Sequence, residues 1–251
     1  MKAKLLFGPG IKAGGPNYVA QLLRCSDRND SVDADMATIT NADVSQLCED
    51  LKALPEGDAG LSASEIAQLT RAAASYSSAY DTEFGVEHDH FKLLGQDNIR
   101  RYLPAQALRI RVHSEDSGYD IFARVCAARI CGCRVTLSSS SDQESKVLRA
   151  IDQLTEAWGA GIEFVVESDS ELAAIIAESQ TDRVRYSSPD RVPLVVRQAI
   201  GDTGIYIAST PILQEGRIEL LWYMMEQSIS VDYHRYGNLG GRGFEERSPV
   251  L

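Results

Sequence analysis

The chain has 251 residues, 44% hydrophobic and 24% charged, which is the composition of a soluble globular protein. Its 25 Lys and Arg against 36 Asp and Glu give a formal net charge of -11, which repels nucleic-acid phosphates and anionic lipids. We therefore expect no nucleic-acid partner and no membrane partner. No stretch approaches ~20 consecutive apolar residues. Because Gly8 ends the first apolar run too early for a signal peptide, the predicted location is cytoplasmic.

The amino-terminal part is predicted to be a linker followed by helices. Residues 26–42 are polar and acidic without apolar periodicity, which indicates a linker or an exposed arm. One helix is predicted over 43–54 and a stronger one from Ser62, because Ser62 and Glu65 have the spacing of a capping box. Its apolar face, at alternating intervals of three and four, is Ile66, Leu69, Ala73, Tyr76 and Tyr80. Residues 81–104 are interpreted as a connection.

From residue 108 onward, strands and helices alternate. The predicted strands are 108–112, 134–137, 162–166, 183–187 and 204–208. The predicted helices between them are 116–131, 142–158, 169–178 and 190–200. Strands separated by helices imply right-handed crossovers. The predicted fold class is therefore α/β, with a doubly wound, mainly parallel, Rossmann-like sheet.

Two local patterns add detail to this part. Asp120 and Arg124 are spaced as an i,i+4 ion pair, and Gly132 stands where their helix should end. Residues 162–166 form a continuous apolar run, which predicts a strand buried on both faces of the sheet.

The carboxyl-terminal part is predicted to dock on another surface. Residues 215–227 are interpreted as a helix with Ile218, Leu221 and Met225 inward, and residues 229–233 as a strand that leads into a Gly-rich tail. The aromatic, His and Arg residues around this strand have the composition of an interface. The predicted docking residues are Trp222, Tyr223, Tyr233, His234, Arg235, Tyr236 and Gly237.

Candidate ligand-binding residues follow the first two predicted strands. Ser138, Ser139 and Ser140 precede a helix start, where their hydroxyls could hold an anion; an N-cap at Asp142 explains the same pattern without a ligand. His113 follows the first strand and could act as a base, but the sequence gives it no evident partner.

The cysteines and one His-containing run are the other candidates for chemistry. The cysteines are Cys25, Cys48, Cys126, Cys131 and Cys133, an odd number in a chain too long to need disulfides, so reduced thiols are predicted. Apolar neighbours one helical turn either side of Cys126 favour a core thiol over a catalytic one. Cys131 and Cys133 lack the second pair of a zinc site. Residues 87–90, Glu-His-Asp-His, lack further ligands for a metal and are interpreted as a solvated connection.

Three segments carry a resemblance to a known family. The segment Lys12-Ala13-Gly14-Gly15-Pro16-Asn17-Tyr18 resembles a Gly-rich stretch at the end of the catalytic domain in aldehyde dehydrogenases of proline catabolism. Asn98 to Pro104 and Ser228 to Gly240 are similar to parts of a domain that long members append, which itself has an aldehyde-dehydrogenase-like nucleotide-binding fold. The chain thus resembles the carboxyl-terminal region of long 1-pyrroline-5-carboxylate dehydrogenases and bifunctional proline utilization A enzymes.

The resemblance implies a parent enzyme that oxidises glutamate semialdehyde to glutamate with NAD, and that also uses FAD where it includes a proline dehydrogenase domain. The family's catalytic Cys and Glu would lie upstream, so it implies no catalytic residue here. Ser138-Ser139 stand where a working cofactor site has Lys-Pro, and Ser187-Ser188-Pro189 replace a Gly-Ser helix start. Because Pro189 has no amide donor, we expect no cofactor for this chain itself.

The resemblance also divides the chain. The predicted parts are 1–25, the remnant of an aldehyde dehydrogenase domain; 26–42, an acidic linker; 43–104, helical; 105–214, Rossmann-like; and 215–251, a helix, strand and docking tail. The leading hypothesis is a non-catalytic module of a 1-pyrroline-5-carboxylate dehydrogenase that covers or stabilises an aldehyde dehydrogenase catalytic domain, in cis or in trans. The alternatives are an active NAD-dependent aldehyde dehydrogenase and a free-standing α/β ligand-binding protein.

Overall fold

A computed structural model describes residues 38–140, 145–201, 203–234 and 236–247. Its α-helices are α1 (Ala42–Ala53), α2 (Ala63–Ala79), α3 (Gly118–Ile130), α4 (Lys146–Leu154), α5 (Asp169–Ala177), α6 (Leu194–Ala199) and α7 (Gly216–Glu219). Its strands are β1 (Gln96–Pro104), β2 (Leu108–Arg111), β3 (Val135–Ser139), β4 (Ile162–Val166), β5 (Arg183–Arg185), β6 (Tyr206–Ala208) and β7 (Met224–Asp232). The predictions for 1–25 and for most of 26–42 lie outside the described residues.

The centre of the described chain is a five-stranded parallel sheet in the order β4-β3-β2-β5-β6. Leu108 of β2 lies beside Val135 of β3 on one side and Arg183 of β5 on the other. The chain therefore winds outward from β2 in one direction and then outward from β5 in the other. This is the doubly wound arrangement, so the predicted fold class is confirmed.

Two apolar clusters cover the two faces of this sheet. The larger cluster joins α3 and α4 to β2 and β3, and α1 and α2 pack over α3 as an outer layer. Phe122, Val125 and Cys126 of α3 are fully buried as a result. The smaller cluster joins α5 and α6 to β5 through Leu172 and Val196, among others.

The helix starts follow the local sequence closely. Ser62 and Glu65 form the predicted capping box at α2, in which each side chain bonds the other's backbone N–H. Ser117 and Asp120 form a second box at α3. Because the Asp120 carboxylate is used there, the predicted Asp120–Arg124 ion pair is wrong. Arg124 donates to the Asp120 backbone carbonyl instead, at 2.8 Å.

A second, separate sheet corrects two further predictions. Strands β1 and β7 pair antiparallel along nine residues each, from Gln96 opposite Asp232 to Pro104 opposite Met224. Residues 96–104 are therefore a strand and not part of a connection. The helix predicted over 215–227 ends at Glu219, and Met225 is 38% exposed on β7 instead of inward. Pairing with a strand that is distant in sequence outweighs the local helical spacing.

Strand β4 also differs from its prediction. It forms in the predicted place, but it lies at the edge of the sheet and pairs only with β3 among the described residues. Phe164 is 36% exposed and Val166 is 67% exposed. The apolar run predicted a strand, but it did not distinguish an edge position from a central one.

Buried arginines join the parallel sheet to the segment that starts β7. The Arg185 and Glu219 side chains are fully buried and form an ion pair at 2.8 Å. Glu219 also accepts hydrogen bonds from the Tyr223 hydroxyl at 2.9 Å and the Leu213 amide at 3.0 Å. Arg183 donates to the carbonyls of Trp222 and Met224, each at 2.8 Å. These bonds fix the direction in which the chain leaves the sheet and enters β7.

We predict that Glu219→Gln lowers the free energy of unfolding by about 3 kcal/mol, because it leaves the buried Arg185 guanidinium without a counter-charge. Urea unfolding followed by tryptophan fluorescence measures this. Glu49→Gln is the matched control: Glu49 pairs with Lys52 on the surface of α1, and its loss should change the free energy by less than about 1 kcal/mol. Equal losses of unfolding free energy from the two substitutions would contradict this role of the Arg185–Glu219 ion pair.

Candidate functional site

A cavity of about 180 Å³ lies at the carboxyl ends of β2 and β5. This is where the strand order reverses, the position at which doubly wound sheets bind ligands. The lining residues are Arg111, Val112, His113, Ser114, Ser140, Asp169, Tyr186, Arg191 and Pro193. We call this cavity the crevice. Of these residues, His113 and Ser140 were predicted candidates, whereas the charged and phenolic side chains were not predicted.

Arg111 crosses the crevice from β2 toward α5. Its guanidinium donates to the Ser138 hydroxyl at 2.7 Å, to the Glu167 carbonyl at 2.9 Å and to the Asp169 carboxylate at 2.8 Å. The Arg111 side chain is 5% exposed, whereas that of Asp169 is 46% exposed. The guanidinium is thus held in one orientation at the base of the crevice.

Asp116 pairs with two further arginines, one of which, Arg191, lines the crevice. Its fully buried carboxylate pairs with Arg124 and with Arg191, and it accepts a hydrogen bond from the Ser187 hydroxyl. Burial opposes ionisation of this carboxyl, but Arg124 and the hydrogen bonds prevail and hold the pKa of Asp116 below its ordinary value. Asp116 therefore ties the loop after β2 to the turn after β5.

Tyr186 contributes a buried hydroxyl to the same place. The residue is 1% exposed, and its hydroxyl oxygen has no hydrogen-bond partner within the described residues. Burial raises the pKa of Tyr186 well above its ordinary value; Arg111 opposes this rise, whereas Asp169 and Glu167 add to it. The hydroxyl is therefore a neutral donor.

The three predicted serines have different environments. Ser138 is fully buried, and its hydroxyl accepts from Arg111 and donates to Glu167 at 2.6 Å. Ser139 is 7% exposed at the end of β3. Ser140 alone among them lines the crevice. The predicted N-cap at Asp142 is wrong: α4 begins at Lys146, and its N-cap is Ser145, whose hydroxyl accepts from the Val147 amide at 3.2 Å.

The described part of the crevice does not fit a dinucleotide. Its volume is below the roughly 300–1,000 Å³ of typical ligand sites. The first-turn amide of Glu171 in α5 is capped by the Ser168 hydroxyl, and Pro189 supplies no N–H in the turn after β5. The ion pairs of Arg111 and Arg191 also occupy the ends of β2 and β5. A pyrophosphate would have to break these contacts.

The four cysteines that the structure describes are buried thiols. Burial raises the pKa of Cys48 to about 11 and that of Cys133 to about 12, and it also raises the pKa values of Cys126 and Cys131 well above the ordinary value. Protonated thiols in this setting are poor nucleophiles. The predictions of a core role for Cys126 and of a structural role for Cys131 and Cys133 agree with this burial. Cys25 lies outside the described residues.

The run 87–90 lies against the outer edge of β1. His88 forms a two-hydrogen-bond bridge with Arg100, and its ring stacks on that of His90 with centroids 5.2 Å apart. No group of three His, Cys, Asp or Glu side chains is placed to bind a metal in the described parts of the chain. No helix of those parts is long and apolar enough to cross a membrane.

We call the two-stranded β1–β7 sheet the ribbon, and its end at Gln96 and Asp232 the distal end. Two arginines stabilise this distal end. The guanidinium carbons of Arg242 and Arg247 lie 4.0 and 4.9 Å from the centre of the Tyr233 ring. Both arginines donate to Asp97, and these hydrogen bonds lower the pKa of Asp97 to about 2. The Tyr233 hydroxyl accepts from the Gly95 amide at 2.8 Å. Tyr233 therefore has a structural role at the ribbon end.

The predicted docking residues separate into two groups. Trp222 and Tyr223 are 1% and 0% exposed, so the prediction that they form docking surface is wrong: they pack in the core, where the chain passes from α7 to β7. His234, Tyr236 and Gly237 are exposed beyond the end of β7. Arg235 lies outside the described residues.

Comparisons with known proteins identify the fold. No protein-family model and no curated protein matches the chain. Betaine aldehyde dehydrogenase from Staphylococcus aureus, solved in complex with NAD+, is 14% identical, with a TM-score of 0.54, over 66% of this chain and 36% of that one. Proline utilization A from Bradyrhizobium japonicum, as the D779Y mutant, is 16% identical, with a TM-score of 0.52, over 68% of this chain and 19% of that one.

A third structure, proline utilization A from Corynebacterium freiburgense, is 24% identical over 91% of this chain and 18% of that one, with a TM-score of 0.46. The chain therefore spans only a part of each protein that it matches. At the identities of the first two structures, the likeness shows a shared fold. The parallel sheet described above has the same Rossmann-like fold as the matched parts of these two structures.

We predict that Asp116→Asn lowers the free energy of unfolding by about 3 kcal/mol at pH 7, because Arg124 and Arg191 lose their shared counter-charge. Urea unfolding measures this, with Asp152→Asn on the exposed side of α4 as the control, expected within about 0.5 kcal/mol of the unsubstituted chain. Because the pKa of Asp116 is lowered in the folded state, its contribution is present above pH 4 and lost below it. The difference from the unsubstituted chain should thus shrink below about pH 4; a constant difference would refute the charge-based explanation.

We predict that the described thiols do not react with a thiol reagent in the native state. In a Cys25→Ser background, Ellman's reagent should label four thiols in urea and none without it, within minutes. Because burial raises the pKa values of these thiols above 9.0 in the folded state, their contribution to the free energy of unfolding is fully present below pH 9. It declines as the pH rises above 9. The decline is about 1.4 kcal/mol per pH unit for each thiol. Rapid native labelling would show that a cysteine is accessible.

Proposed function

We propose that this chain is a non-catalytic module of a larger proline-catabolic enzyme, a 1-pyrroline-5-carboxylate dehydrogenase or a proline utilization A protein. In this proposal it docks on an NAD-dependent aldehyde dehydrogenase catalytic domain, in cis or in trans, and stabilises it. The parent enzyme would bind NAD, and FAD where it includes a proline dehydrogenase domain. The likeness of fold to proline utilization A and to an NAD-bound aldehyde dehydrogenase supports this choice of partner.

The observation that carries the proposal is the open edge of β7. All residues of β7 except Met224 and Ile229 are exposed. In the described chain β7 pairs on one side only, with β1, whereas the other edge of β1 is partly covered by His88. An isolated two-stranded ribbon is marginally stable, and an unpaired edge is a template for another strand. A partner strand along β7 would satisfy these backbone groups.

Apolar side chains accompany this edge along the ribbon and at its distal end. Met225 is 38% exposed and Val231 is 46% exposed on β7 itself. Beyond its end, the most exposed apolar side chains are Phe91, Leu94, Tyr236 and Phe244. Exposed aromatic residues beside a polar strand are typical of an interface, because their burial excludes water from the strand hydrogen bonds. The ion pairs of Asp97 hold this end in a fixed shape before a partner arrives.

The interior of the chain supports a non-catalytic role. The described thiols are buried, and the crevice is closed to a dinucleotide by ion pairs. A dehydrogenase needs an accessible nucleophile and room for its cofactor at the same place. Both features favour the docking function over the alternative of an active dehydrogenase.

A binding measurement tests the proposal. The chain is titrated calorimetrically into a separately purified 1-pyrroline-5-carboxylate dehydrogenase catalytic domain. Val231→Glu should weaken binding at least tenfold, about 1.4 kcal/mol, because it places a charge on the edge that the partner covers. Val166→Glu is the matched control: Val166 is an exposed valine on the edge strand β4, away from the ribbon, and its replacement should leave the affinity unchanged.

A parallel assay of the chain with NAD and pyrroline-5-carboxylate completes the test. The proposal requires no NADH formation from the chain alone. Turnover by the chain, no binding to the catalytic domain, or equal losses with the two glutamate variants would each overturn it.

A further inference from the structure

We propose that the open edge of β4 pairs with the same edge of a second copy of this chain, antiparallel and across a two-fold axis at Phe164. The two five-stranded sheets would then form one continuous sheet. Because β4 belongs to the parallel sheet and not to the ribbon, this self-association is separate from the docking of β7 on a catalytic domain.

The exposed apolar side chains of β4 are the first observation. Ile162, Phe164 and Val166 alternate along the strand, so they share one of its faces. Phe164 is 36% exposed and Val166 is 67% exposed. Natural edge strands are usually protected by Lys, Pro or a bulge. The sequence of β4, Ile-Glu-Phe-Val-Val, contains no Lys and no Pro, so this edge is a template for another strand.

The direction of the backbone groups is the second observation. The Glu167 amide donates to the Ser139 carbonyl of β3 at 2.9 Å, and the residues of a strand direct their backbone groups alternately to the two sides. Phe164 and Val166 pair on the outer side with no other strand of the described chain. The Ile162 amide bonds the Gly159 carbonyl in the preceding turn, which leaves the Ile162 carbonyl to accept at the open edge.

A two-fold axis at Phe164 matches these backbone groups. Phe164 then lies opposite Phe164 of the second copy, and the two residues exchange two hydrogen bonds. Val166 of each copy lies opposite Ile162 of the other and donates to its carbonyl, which adds two more. The same pairing brings the apolar side chains of the two strands together across the axis, where their burial stabilises the dimer.

Charge complementarity selects this axis over its neighbours. Glu163 is the one ionisable residue of β4, and with the axis at Phe164 it lies opposite Val165 of the second copy. An axis at Glu163 would place two carboxylates directly opposite each other. An axis at Val165 would place Glu163 opposite Glu167. Like charges directly opposite each other destabilise a strand pair, so the register centred on Phe164 is favoured.

The expected complex is a closed and reversible dimer. A two-fold interface uses the same surface on both copies, so it closes at two chains and does not propagate. Pairing along five residues is short for a stable interface, and each chain carries a formal net charge of -11. Because salt screens this repulsion, the dimer should strengthen at high ionic strength.

Sedimentation equilibrium of the full chain, over a series of concentrations at low and at high salt, is the first test. A monomer–dimer equilibrium that is tighter at high salt supports the proposal. A chain that stays monomeric at every concentration, or that assembles beyond two copies, overturns it.

Substitutions at the axis test the register. Phe164→Glu should weaken the dimer at least tenfold, because two carboxylates then meet at the axis, and Phe164→Lys should do the same with two ammonium groups. A mixture of the two variants should form a heterodimer at least tenfold tighter than either variant forms alone. A folding defect does not give this recovery, and its absence overturns the axis at Phe164.

Val166→Glu and Val231→Glu are a matched pair of exposed valines, on β4 and on β7. Val166→Glu should weaken self-association at least tenfold, whereas Val231→Glu should leave it unchanged. This is the reverse of their expected effects on docking. Equal effects of the two variants on self-association overturn the assignment to β4. Because no catalytic domain is present, the result is independent of the docking proposal.

Discussion

The architecture depends on the buried ion pair between Arg185 and Glu219. Taking two charges out of water is costly, and such a pair is tolerated only when its remaining hydrogen bonds are satisfied. Glu219 meets this condition through Tyr223 and Leu213, and Arg185 meets it in part: it donates to the Thr210 carbonyl at 2.6 Å, whereas its Nε has no partner among the described residues. The neighbouring Arg183 donates to the carbonyls of Trp222 and Met224. Because Arg183 and Arg185 both lie on the three-residue strand β5, this strand attaches the start of β7 to the parallel sheet. The ribbon is held at its base by charge and not by apolar packing alone.

Sequence patterns predicted the elements that local signals determine, and they failed for elements that depend on contacts between distant parts of the chain. The parallel strands and the helices between them follow from apolar periodicity and from caps such as Ser62 with Glu65, which are local signals. Strand β7 was predicted only in its last part, from residue 229, and β1 was not predicted, because these two strands pair with each other and most of their side chains lie outside the apolar core. Their partners are more than a hundred residues apart in sequence, with Gln96 opposite Asp232. The spacing of Ile218, Leu221 and Met225 is that of a helix, but α7 ends at Glu219, where the ion pair with Arg185 holds the chain.

The candidate site shows a second limit of sequence patterns. Arg109 and Arg111 alternate with Leu108 and Ile110 along β2, and nothing in the sequence pairs either arginine with a particular carboxylate. In the structure both partners follow β4: Glu167 lies 3.6 Å from Arg109, and Asp169, which begins α5, pairs with Arg111 at 2.8 Å. A charged residue on a central strand becomes buried only because another element brings the opposite charge. His113 and Ser140 were identified because strand ends are predictable; Tyr186 was missed because its unpaired hydroxyl depends on what surrounds it.

Ion pairs of Arg111 and Arg191 occupy the strand ends at the crevice. In a doubly wound sheet the strand ends are polar, and a bound dinucleotide normally satisfies them. Here Asp116 and Asp169 form ion pairs with the arginines at these strand ends from within the chain. An exposed apolar and strand-edge surface lies elsewhere, on β7. In the proposed docking function, ion pairs that hold the strand ends in place and an open β7 edge would together present a preformed surface to another domain.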